Sequence, residues 1–338
     1  MKNRKIRFAS PNVVEFVTTD DQFAITSPTE VIVRNRYSLV SAGTELACLS
    51  GGESWFPLPG TPGYIAVGEV IERGAACANL KAGDKVFTYG PHAEIFKIDT
   101  SNRWGGLCLK VPEALPLDIA CFTRMGSIAM TSLRVSHIEL GDCVLVTGLG
   151  QVGNLAAQFA TLQGAIVIGA DINAKRRATA LSCGIAHVVD SSAADWKEQV
   201  RKIAGERGVT THIEASGLAS VAAEAATIIG GYGESILLGS PRAPFQTNLT
   251  DYLQRIHLPN FVEVKGSLEW RYPTFKSEFS KHSIVRNSEI IMELLAQNRL
   301  KVAPLHTHNL SPAKAAEAYA GLRERKDDYV GVVFDWKL

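Results

Sequence analysis

Short apolar runs broken by Gly, Pro and Asp fill the first third of the chain. Three of them read EVIVRNRYSLV, AVGEVIERG and DKVFTYG, and they are rich in β-branched and aromatic residues. Runs of this length bounded by turn residues are typical of β-strands. Residues 6–110 are therefore predicted to form a β-rich lobe.

From about residue 120 to residue 267, apolar runs alternate with alanine-rich, helix-like stretches. The order is VLVTG, QVGNLAAQFATLQG, IVIGAD, AKRRATALSCG and HVVD, followed by THIEASG, SVAAEAATIIGG and SILLGS. This alternation predicts βαβ units and an α/β fold with a parallel, doubly wound sheet. The tail adds two helix-like segments, NSEIIMELLAQNR and SPAKAAEAYAGLRER, and a closing strand, YVGVVFDW.

Length and charge limit the classes of function. The chain has 338 residues, of which 46% are hydrophobic, and this length favours two domains. Lys and Arg number 35 against 34 Asp and Glu, so the net charge of +1 offers no long-range attraction to nucleic acid or to an anionic membrane. No run has the length of a signal-peptide core or a membrane span. We therefore expect a soluble, cytoplasmic protein with a small-molecule partner. Its six cysteines include no C-x-x-C pair that would indicate a metal cluster or a redox dithiol, and we expect them to be reduced.

The segment VLVTGLGQVG carries the strongest chemical signal. Gly148, Gly150 and Gly153 have the G-x-G-x-x-G spacing, after a strand-like run and at the start of an amphipathic stretch. The first glycine permits a tight turn, the second lets a pyrophosphate approach the backbone, and the third lets the helix pack on the strand. A second strand ends at Asp171, 18 residues after Gly153, where a carboxylate accepts hydrogen bonds from the adenosine ribose and repels a 2′-phosphate. The prediction is a dinucleotide site that prefers NAD to NADP.

Three further residues are assigned to this cofactor site. Gln151 and Val152 complete the turn, and Arg176 follows the acidic residue. Lys175, Arg176 and Arg177 would soften the preference for NAD, although a solvated first turn of the next helix explains them more simply.

Several motifs together resemble the medium-chain dehydrogenase/reductase superfamily of zinc-type alcohol dehydrogenases. They are SAGTE at 41–45, PGYIAVGEV at 62–70, AGDKV at 82–86, HAE at 92–94, AMTSL at 129–133, GLGQVG at 148–153, IEASG at 213–217 and LLGS at 237–240. The resemblance implies a GroES-like catalytic domain at 1–122, a Rossmann domain at 123–267, and a segment at 268–338 that completes the catalytic domain. It also places Thr131 beside the nicotinamide. SAGTE, PGY and PHAE look most like the subgroup that contains bacteriochlorophyllide a dehydrogenase.

The chain departs from this family at its metal positions. By motif register Ala42, Tyr64 and Ser127 stand where the relatives carry zinc ligands, and Ile65 replaces a glutamate. None of these side chains is a good zinc ligand. The run of four cysteines that would hold a structural zinc is missing as well. We therefore predict an enzyme without zinc.

Losing zinc changes what the remaining side chains must do. Zinc lowers the pKa of bound water from about 15.7 to about 7, so up to about 12 kcal/mol of oxyanion stabilisation would need replacement. Thr44 matches the family position that relays the substrate proton, and Tyr64 occupies the vacated imidazole position. A phenol donates to a ketone at neutral pH and accepts from an alcohol only if its pKa is lowered. His92 is a third candidate, with a structural or rim position as its alternative.

Three functions are compatible with these residues. The favoured one is a zinc-independent, NAD-linked alcohol dehydrogenase or ketone reductase, acting on an alcohol next to a conjugated system or on a cyclitol, sugar or other secondary alcohol. The second is an enoyl or quinone reductase, and the third is a non-catalytic NAD-binding protein. By analogy with the family, we expect a homodimer or homotetramer.

Overall fold

The computed structural model of the protein describes residues 2–258 and 260–338. The chain divides into two compact units. The first unit contains the residues up to Arg124 together with Tyr272–Leu338, and the second contains Met125–Arg271. The boundaries predicted from the sequence lie at 122/123 and 267/268.

The strands and helices are numbered in chain order. The strands are β1 Lys2–Ser10, β2 Val13–Asp20, β3 Glu30–Leu39, β4 Ala66–Arg73, β5 Lys85–Thr88, β6 Ile95–Asp99, β7 Cys108–Lys110, β8 Cys143–Thr147, β9 Ile166–Asp171, β10 His187–Asp190, β11 Val209–Glu214, β12 Ile229–Leu237, β13 Glu263–Gly266, β14 His306–Leu310 and β15 Gly331–Asp335. The α-helices are α1 Ala42–Leu49, α2 Leu117–Ala120, α3 Thr123–Val135, α4 Gln151–Leu162, α5 Ala174–Ser182, α6 Trp196–Ala204, α7 Ala219–Ala225, α8 Leu249–His257, α9 Ile284–Ala296 and α10 Ala315–Glu324.

The first unit is built on a mixed sheet that joins the two ends of the chain. Its strand order is β14-β15-β3-β4-β5-β7, and β6 also pairs with β3. The apolar positions of EVIVRNRYSL place Val31 and Val33 in a core with Val70 and Phe96. The closing strand β15 pairs antiparallel with β3, so the C-terminal segment belongs to this unit. The hairpin of β1 and β2 forms a separate two-stranded sheet.

The second unit is a parallel sheet of the doubly wound kind. Its strand order is β10-β9-β8-β11-β12-β13, and each neighbouring pair is parallel. The order reverses between β8 and β11, which is the switch point at which such sheets bind ligands. Leu145, Ile168 and Val189 form its core with Trp196 of α6. The predicted α/β class, with a Rossmann sheet and a β-rich lobe, is confirmed by this fold and by the structural neighbours described below.

A buried histidine bridges three strands of this parallel sheet. The Nε2 atom of His212 in β11 lies 2.9 Å from the hydroxyl of Thr147 in β8. Its Nδ1 atom lies 3.2 Å from the hydroxyl of Ser235 in β12. His212 is 0% exposed, and burial lowers its pKa to about 3. The imidazole is therefore neutral inside the folded protein at neutral pH.

Two local predictions differ from the structure. The stretch SVAAEAATIIGG was predicted to be helical throughout, but α7 ends at Ala225 and β12 already begins at Ile229. Ile229 pairs with Val209 of β11, so the neighbouring strand overrides the local pattern. The motif SAGTELACL, which carried no helix prediction, forms α1. None of the described helices is both long and apolar enough to cross a membrane.

Candidate active site

The first group of candidate residues surrounds Tyr64 in the first unit. Tyr64 precedes β4 and is partly buried. Its hydroxyl donates a short hydrogen bond to the hydroxyl of Ser41, the residue that immediately precedes α1. Thr44 lies in the first turn of that helix, and its side chain lowers the pKa of the Tyr64 phenol. The turn that places Tyr64 depends on Gly63, which has a φ of +95°.

Burial is the main influence on the acidity of Tyr64. Desolvation raises the pKa of its phenol above the usual value of 10.0, and it outweighs the opposite effects of Arg124, Ser41 and Thr44. The phenol is therefore protonated at neutral pH. Of the two roles considered for Tyr64, this environment favours the hydrogen-bond donor to a carbonyl oxygen.

Arg124 is the residue of this site that the sequence analysis missed. It stands at the start of α3 and is only 4% exposed. Its guanidinium carbon lies 3.7 Å from the ring centroid of Tyr89 and 5.2 Å from that of Tyr64. The available signal was a lone arginine in the largely apolar run ACFTRMGSIAM. A linear pattern does not reveal that two tyrosine rings converge on this arginine.

Glu45 and His92 form a buried network next to this group. One carboxylate oxygen of Glu45 accepts a hydrogen bond of 2.7 Å from the backbone N–H of Ser41. The other lies 3.0 Å from Nε2 of His92 and accepts a hydrogen bond from the Tyr319 hydroxyl. Glu45 thereby links the start of α1 to the interior of the first unit.

The position of His92 favours the structural role that the sequence left as an alternative to catalysis. His92 is 0% exposed, and its Nδ1 atom lies 2.8 Å from the hydroxyl of Ser38. That hydroxyl also accepts a hydrogen bond from the indole of Trp336. A Cβ atom at Gly63 would lie 2.7 Å from the His92 ring, so the glycine is needed for this packing. Both ring nitrogens are engaged within the protein, and the geometry does not offer His92 to a substrate.

The side chains around Tyr64 do not fit a zinc ion. Ala42 has no donor atom, and the phenol of Tyr64 lies beside a guanidinium that would repel a dication. Within residues 2–258 and 260–338, no three His, Cys, Asp or Glu side chains are arranged to hold a metal. Ser127, the third position predicted from the sequence, is 1% exposed in α3.

The second group of candidate residues lies at the carboxyl end of β8 in the second unit. Gly148 has a φ of +87°, and a Cβ atom there would lie 2.7 Å from the backbone nitrogen of Ser216. A Cβ atom at Gly153 would lie 1.8 Å from the Gly148 carbonyl oxygen, whereas Gly150 has no atom within 4 Å of such a position. Gly148 and Gly153 are therefore required by the fold, and Gly150 faces open space.

The N-terminus of α4 fits a phosphate group. Gly150 is its N-cap, and no side chain caps the helix there. The backbone N–H groups of the first turn, which contains Gln151 and Val152, have no acceptor within an α-helix. Together with the helix dipole, such N–H groups bind phosphate. The turn thus has the open face and the donors that a dinucleotide pyrophosphate requires.

Asp171 lies beside this turn, at the end of β9. One of its carboxylate oxygens accepts a hydrogen bond of 2.7 Å from the backbone N–H of Leu149, and the other accepts one of 2.8 Å from that of Asn173. A guanidinium nitrogen of Arg176 lies 3.8 Å from the same carboxylate. Arg177 instead pairs with Asp190 at 2.9 Å. Arg176 is therefore the basic side chain that lies next to the Asp171 carboxylate.

Thr131 lies elsewhere in the second unit, on α3. It is 1% exposed, and its hydroxyl donates a hydrogen bond of 3.0 Å to the Ser127 carbonyl oxygen in the same helix. The carboxyl ends of β8 and β9 thus bring together the glycine turn, Asp171 and Arg176. The Thr131 hydroxyl, in contrast, is bonded within its own helix.

The chain is similar to known dehydrogenases in sequence and in structure. A family model described as zinc-binding dehydrogenase matches residues 152–279. A D-guloside 3-dehydrogenase of Escherichia coli strain K12 is 26% identical over 340 residues, covering 94% of this chain and 95% of the relative. An L-threonine 3-dehydrogenase of Chelativorans sp. strain BNC1 is 25% identical, covering 91% and 92% of the two chains.

The fold is shared with solved dehydrogenase structures. A short chain alcohol dehydrogenase from Escherichia coli CFT073, solved with the cofactor NADH, superposes with a TM-score of 0.83 at 17% identity. The similarity covers 99% of both chains.

Proposed function

Because the chain belongs to the medium-chain superfamily of zinc-type alcohol dehydrogenases, we propose that it is a zinc-independent, NAD-dependent oxidoreductase. It transfers a hydride between the nicotinamide and a secondary alcohol or ketone. The observation that carries this proposal is the cluster of hydroxyl groups around Tyr64, at positions where the relatives are expected to place zinc ligands. Thr44, Tyr64 and Ser41 supply hydrogen-bond donors there and no metal ligand of the usual kind.

In the direction of ketone reduction, NADH held at the turn of Gly148, Gly150 and Gly153 would supply a hydride to the carbonyl carbon. Tyr64 donates its proton to the carbonyl oxygen, which becomes the hydroxyl of the product alcohol. The resulting phenolate is reprotonated from solvent. Thr44 donates a second hydrogen bond to the same oxygen. The raised pKa of Tyr64 supports its role as the proton donor, because the phenol carries its proton at neutral pH.

Secondary alcohols are the substrate class that the relatives' names support. Carbon 3 of threonine and a ring carbon 3 of a guloside both carry a secondary hydroxyl, and these are the substrates named for the two sequence relatives. The narrower resemblance to bacteriochlorophyllide a dehydrogenase remains a prediction. Its benzylic type of hydroxyl belongs in the same test.

A substrate screen that follows NADH absorbance tests the proposed function. The purified protein is supplied with NAD and a panel of sugars, cyclitols, hydroxy amino acids and benzylic alcohols, and with NADH and the matching ketones. Turnover of secondary alcohols or ketones is the expected result. Turnover of enones or quinones alone would identify the protein as an enoyl or quinone reductase. NADH binding without any turnover would indicate a non-catalytic protein.

Cofactor choice is tested at Asp171. We expect NADH to bind at least about tenfold more tightly than NADPH, a difference of about 1.4 kcal/mol. Asp171→Asn should narrow that gap, because it removes the charge that repels the 2′-phosphate. Arg176→Gln is the matched control and should widen the gap. Equal affinities of the unmodified protein for the two cofactors would contradict the proposed preference.

We propose a homodimer or homotetramer, because apolar side chains are exposed at one edge of the sheet in the second unit. Tyr232 and Phe261 stack at 5.2 Å and are 85% and 52% exposed. Leu253 and Val264 are also exposed, and Val264 belongs to the edge strand β13. Exposed apolar side chains along an unpaired strand edge favour self-association. Sedimentation of the purified protein tests this, and a monomer at micromolar concentration would contradict it.

A further inference from the structure

Arg124 is a buried charge that lies against two tyrosine rings. Taking a guanidinium out of water is unfavourable, so a buried arginine is weak evidence for a contribution to stability. The stacking of Arg124 on Tyr89, at 3.7 Å from the ring centroid, offsets part of this cost. The side chain of Arg124 is thus held against one ring while its charge lies 5.2 Å from the centre of the other, Tyr64.

Among the described residues, two helices carry the charged groups with the largest effect on the pKa of Tyr64, and the phenol of Tyr89 lies on the other side of Arg124. Arg124 stands on α3, and Glu45 stands on α1 together with the hydroxyl of Thr44. Ser41 completes the set just before α1. Glu45 disfavours the phenolate, but its carboxylate also accepts hydrogen bonds from Ser41, His92 and Tyr319. Arg124 is the positive charge of this set.

We propose that Arg124 is a positioning residue for Tyr64, whose guanidinium stabilises the phenolate left after Tyr64 gives its proton to the substrate oxygen. This inference rests on the proposed function, since it concerns the same proton transfer. In ketone reduction the O–H bond of Tyr64 breaks and the product O–H bond forms, while the electron pair stays on the phenolate oxygen. The positive charge of Arg124 stabilises the phenolate of Tyr64 until solvent returns a proton. In the reverse direction Arg124 stabilises the Tyr64 phenolate, which takes the proton from the alcohol.

A guanidinium suits this task better than an ammonium at the same place. It remains charged at any pH at which the protein folds, and its plane stacks on an aromatic ring. The ring of Tyr89 keeps that plane in a fixed orientation next to Tyr64. Lys at this position would supply a charge without the stacking geometry.

The test measures the ionisation of Tyr64 directly and needs no substrate. Tyr64 is replaced by difluorotyrosine, whose phenol is more acidic than that of tyrosine, and fluorine NMR follows this single residue. An opposite charge within about 4–6 Å lowers the pKa of an acid by about 1–3 units. Arg124→Met should therefore move the titration upward by at least about one unit. Arg124→Lys should move it upward by less.

Two controls keep the result interpretable. Difluorotyrosine at Tyr232, which is 85% exposed in the second unit, should titrate identically with Arg124 or Met at position 124. NADH affinity, measured for the same proteins, should be unchanged, because the glycine turn is intact. If Arg124→Met does not fold, Arg124→Gln replaces it in the comparison.

An unchanged titration of the residue at 64 in Arg124→Met would overturn the role of Arg124 and leave the dehydrogenase assignment untouched. Failure of the unmodified protein to bind NADH would contradict the proposed function, whatever the titration shows. The two failures are therefore distinguishable. A shift at 64 without a shift at 232 is the result that supports the proposal.

Discussion

The hydroxyl of Tyr64 is its reactive group, whereas its ring packs against neighbouring side chains. The phenol donates to Ser41, lies beside Arg124 and has a raised pKa because it is buried. A substitution that removes only the oxygen therefore separates hydrogen bonding from packing.

Tyr64→Phe should lower turnover on the order of a hundredfold, the low end for general acid–base catalysis. NADH affinity should be nearly unchanged. Thr44→Val should act in the same direction, and the double variant should cost less than the product of the single changes if both hydroxyls serve one proton path. Steady-state kinetics with an active ketone give these values.

Tyr37→Phe is the matched control for this prediction, because it makes the same change on another partly buried tyrosine of the first unit. It should keep the turnover of the unmodified protein. Unaltered turnover of Tyr64→Phe across the pH range would reduce Tyr64 to a space-filling residue. Thr44 would then be the remaining donor.

At the scale of single elements, the turn from β8 to α4 separates two roles of glycine. Gly153 packs against the Gly148 carbonyl, and Gly150 faces open space with an extended backbone that other residues adopt. Gly153 is thus needed for folding, whereas we propose that Gly150 leaves room for the approach of the cofactor.

Gly150→Ala should leave the free energy of unfolding nearly unchanged and weaken NADH binding at least about tenfold, or about 1.4 kcal/mol. Gly153→Ala should destabilise the protein on the order of 2 kcal/mol, because the added methyl group overpacks the turn. Urea denaturation and NADH fluorescence measure the two effects. Undiminished NADH affinity in Gly150→Ala would speak against the pyrophosphate site.

The parallel sheet should also respond to acid through His212. The unfolded chain binds a proton at this histidine below about pH 6.5, whereas the folded protein binds one only below about pH 3. The free energy of unfolding therefore decreases as the pH is lowered from about 6.5 to about 3, by about 1.4 kcal/mol per pH unit. Between pH 7 and pH 5 the loss from this residue is about 2 kcal/mol.

His212→Gln should lower the stability at pH 7, because it disturbs the bonds to Thr147 and Ser235, and it should remove this part of the pH dependence. Urea denaturation at pH 7 and pH 5 measures both. His257→Gln, at the exposed end of α8, should leave the pH dependence unchanged. An equal loss between the two pH values in His212→Gln and the unmodified protein would be inconsistent with a neutral, buried imidazole.

For the whole molecule, the prediction concerns metal content. The family model that matches the chain is described as zinc-binding, but the described residues do not assemble a zinc site. Purified protein should contain much less than one zinc per chain, and a chelator should leave turnover intact. Metal analysis before and after dialysis against the chelator checks this. Stoichiometric zinc that is lost together with activity would refute the mechanism proposed for Tyr64.

The sequence by itself determined the fold class and the resemblance to a family of dehydrogenases. The alternation of strands and helices, the spacing of Gly148, Gly150 and Gly153, and the motifs around them are local signals, and local backbone geometry is what such signals specify. The extent of β12 was not predictable from its own residues, because pairing with β11 extends it across Ile229.

Only the tertiary structure decided which side chains share a site. Arg124 lies 60 residues from Tyr64 in the chain, and only the folded first unit brings its charge over the tyrosine rings. The sequence left His92 as either a candidate base or a structural residue, and its contacts with Glu45 and Ser38 hold it in the core. The acidity and accessibility of a side chain depend on what surrounds it in space. Residues far apart along the chain supply those surroundings, and a linear pattern does not contain them.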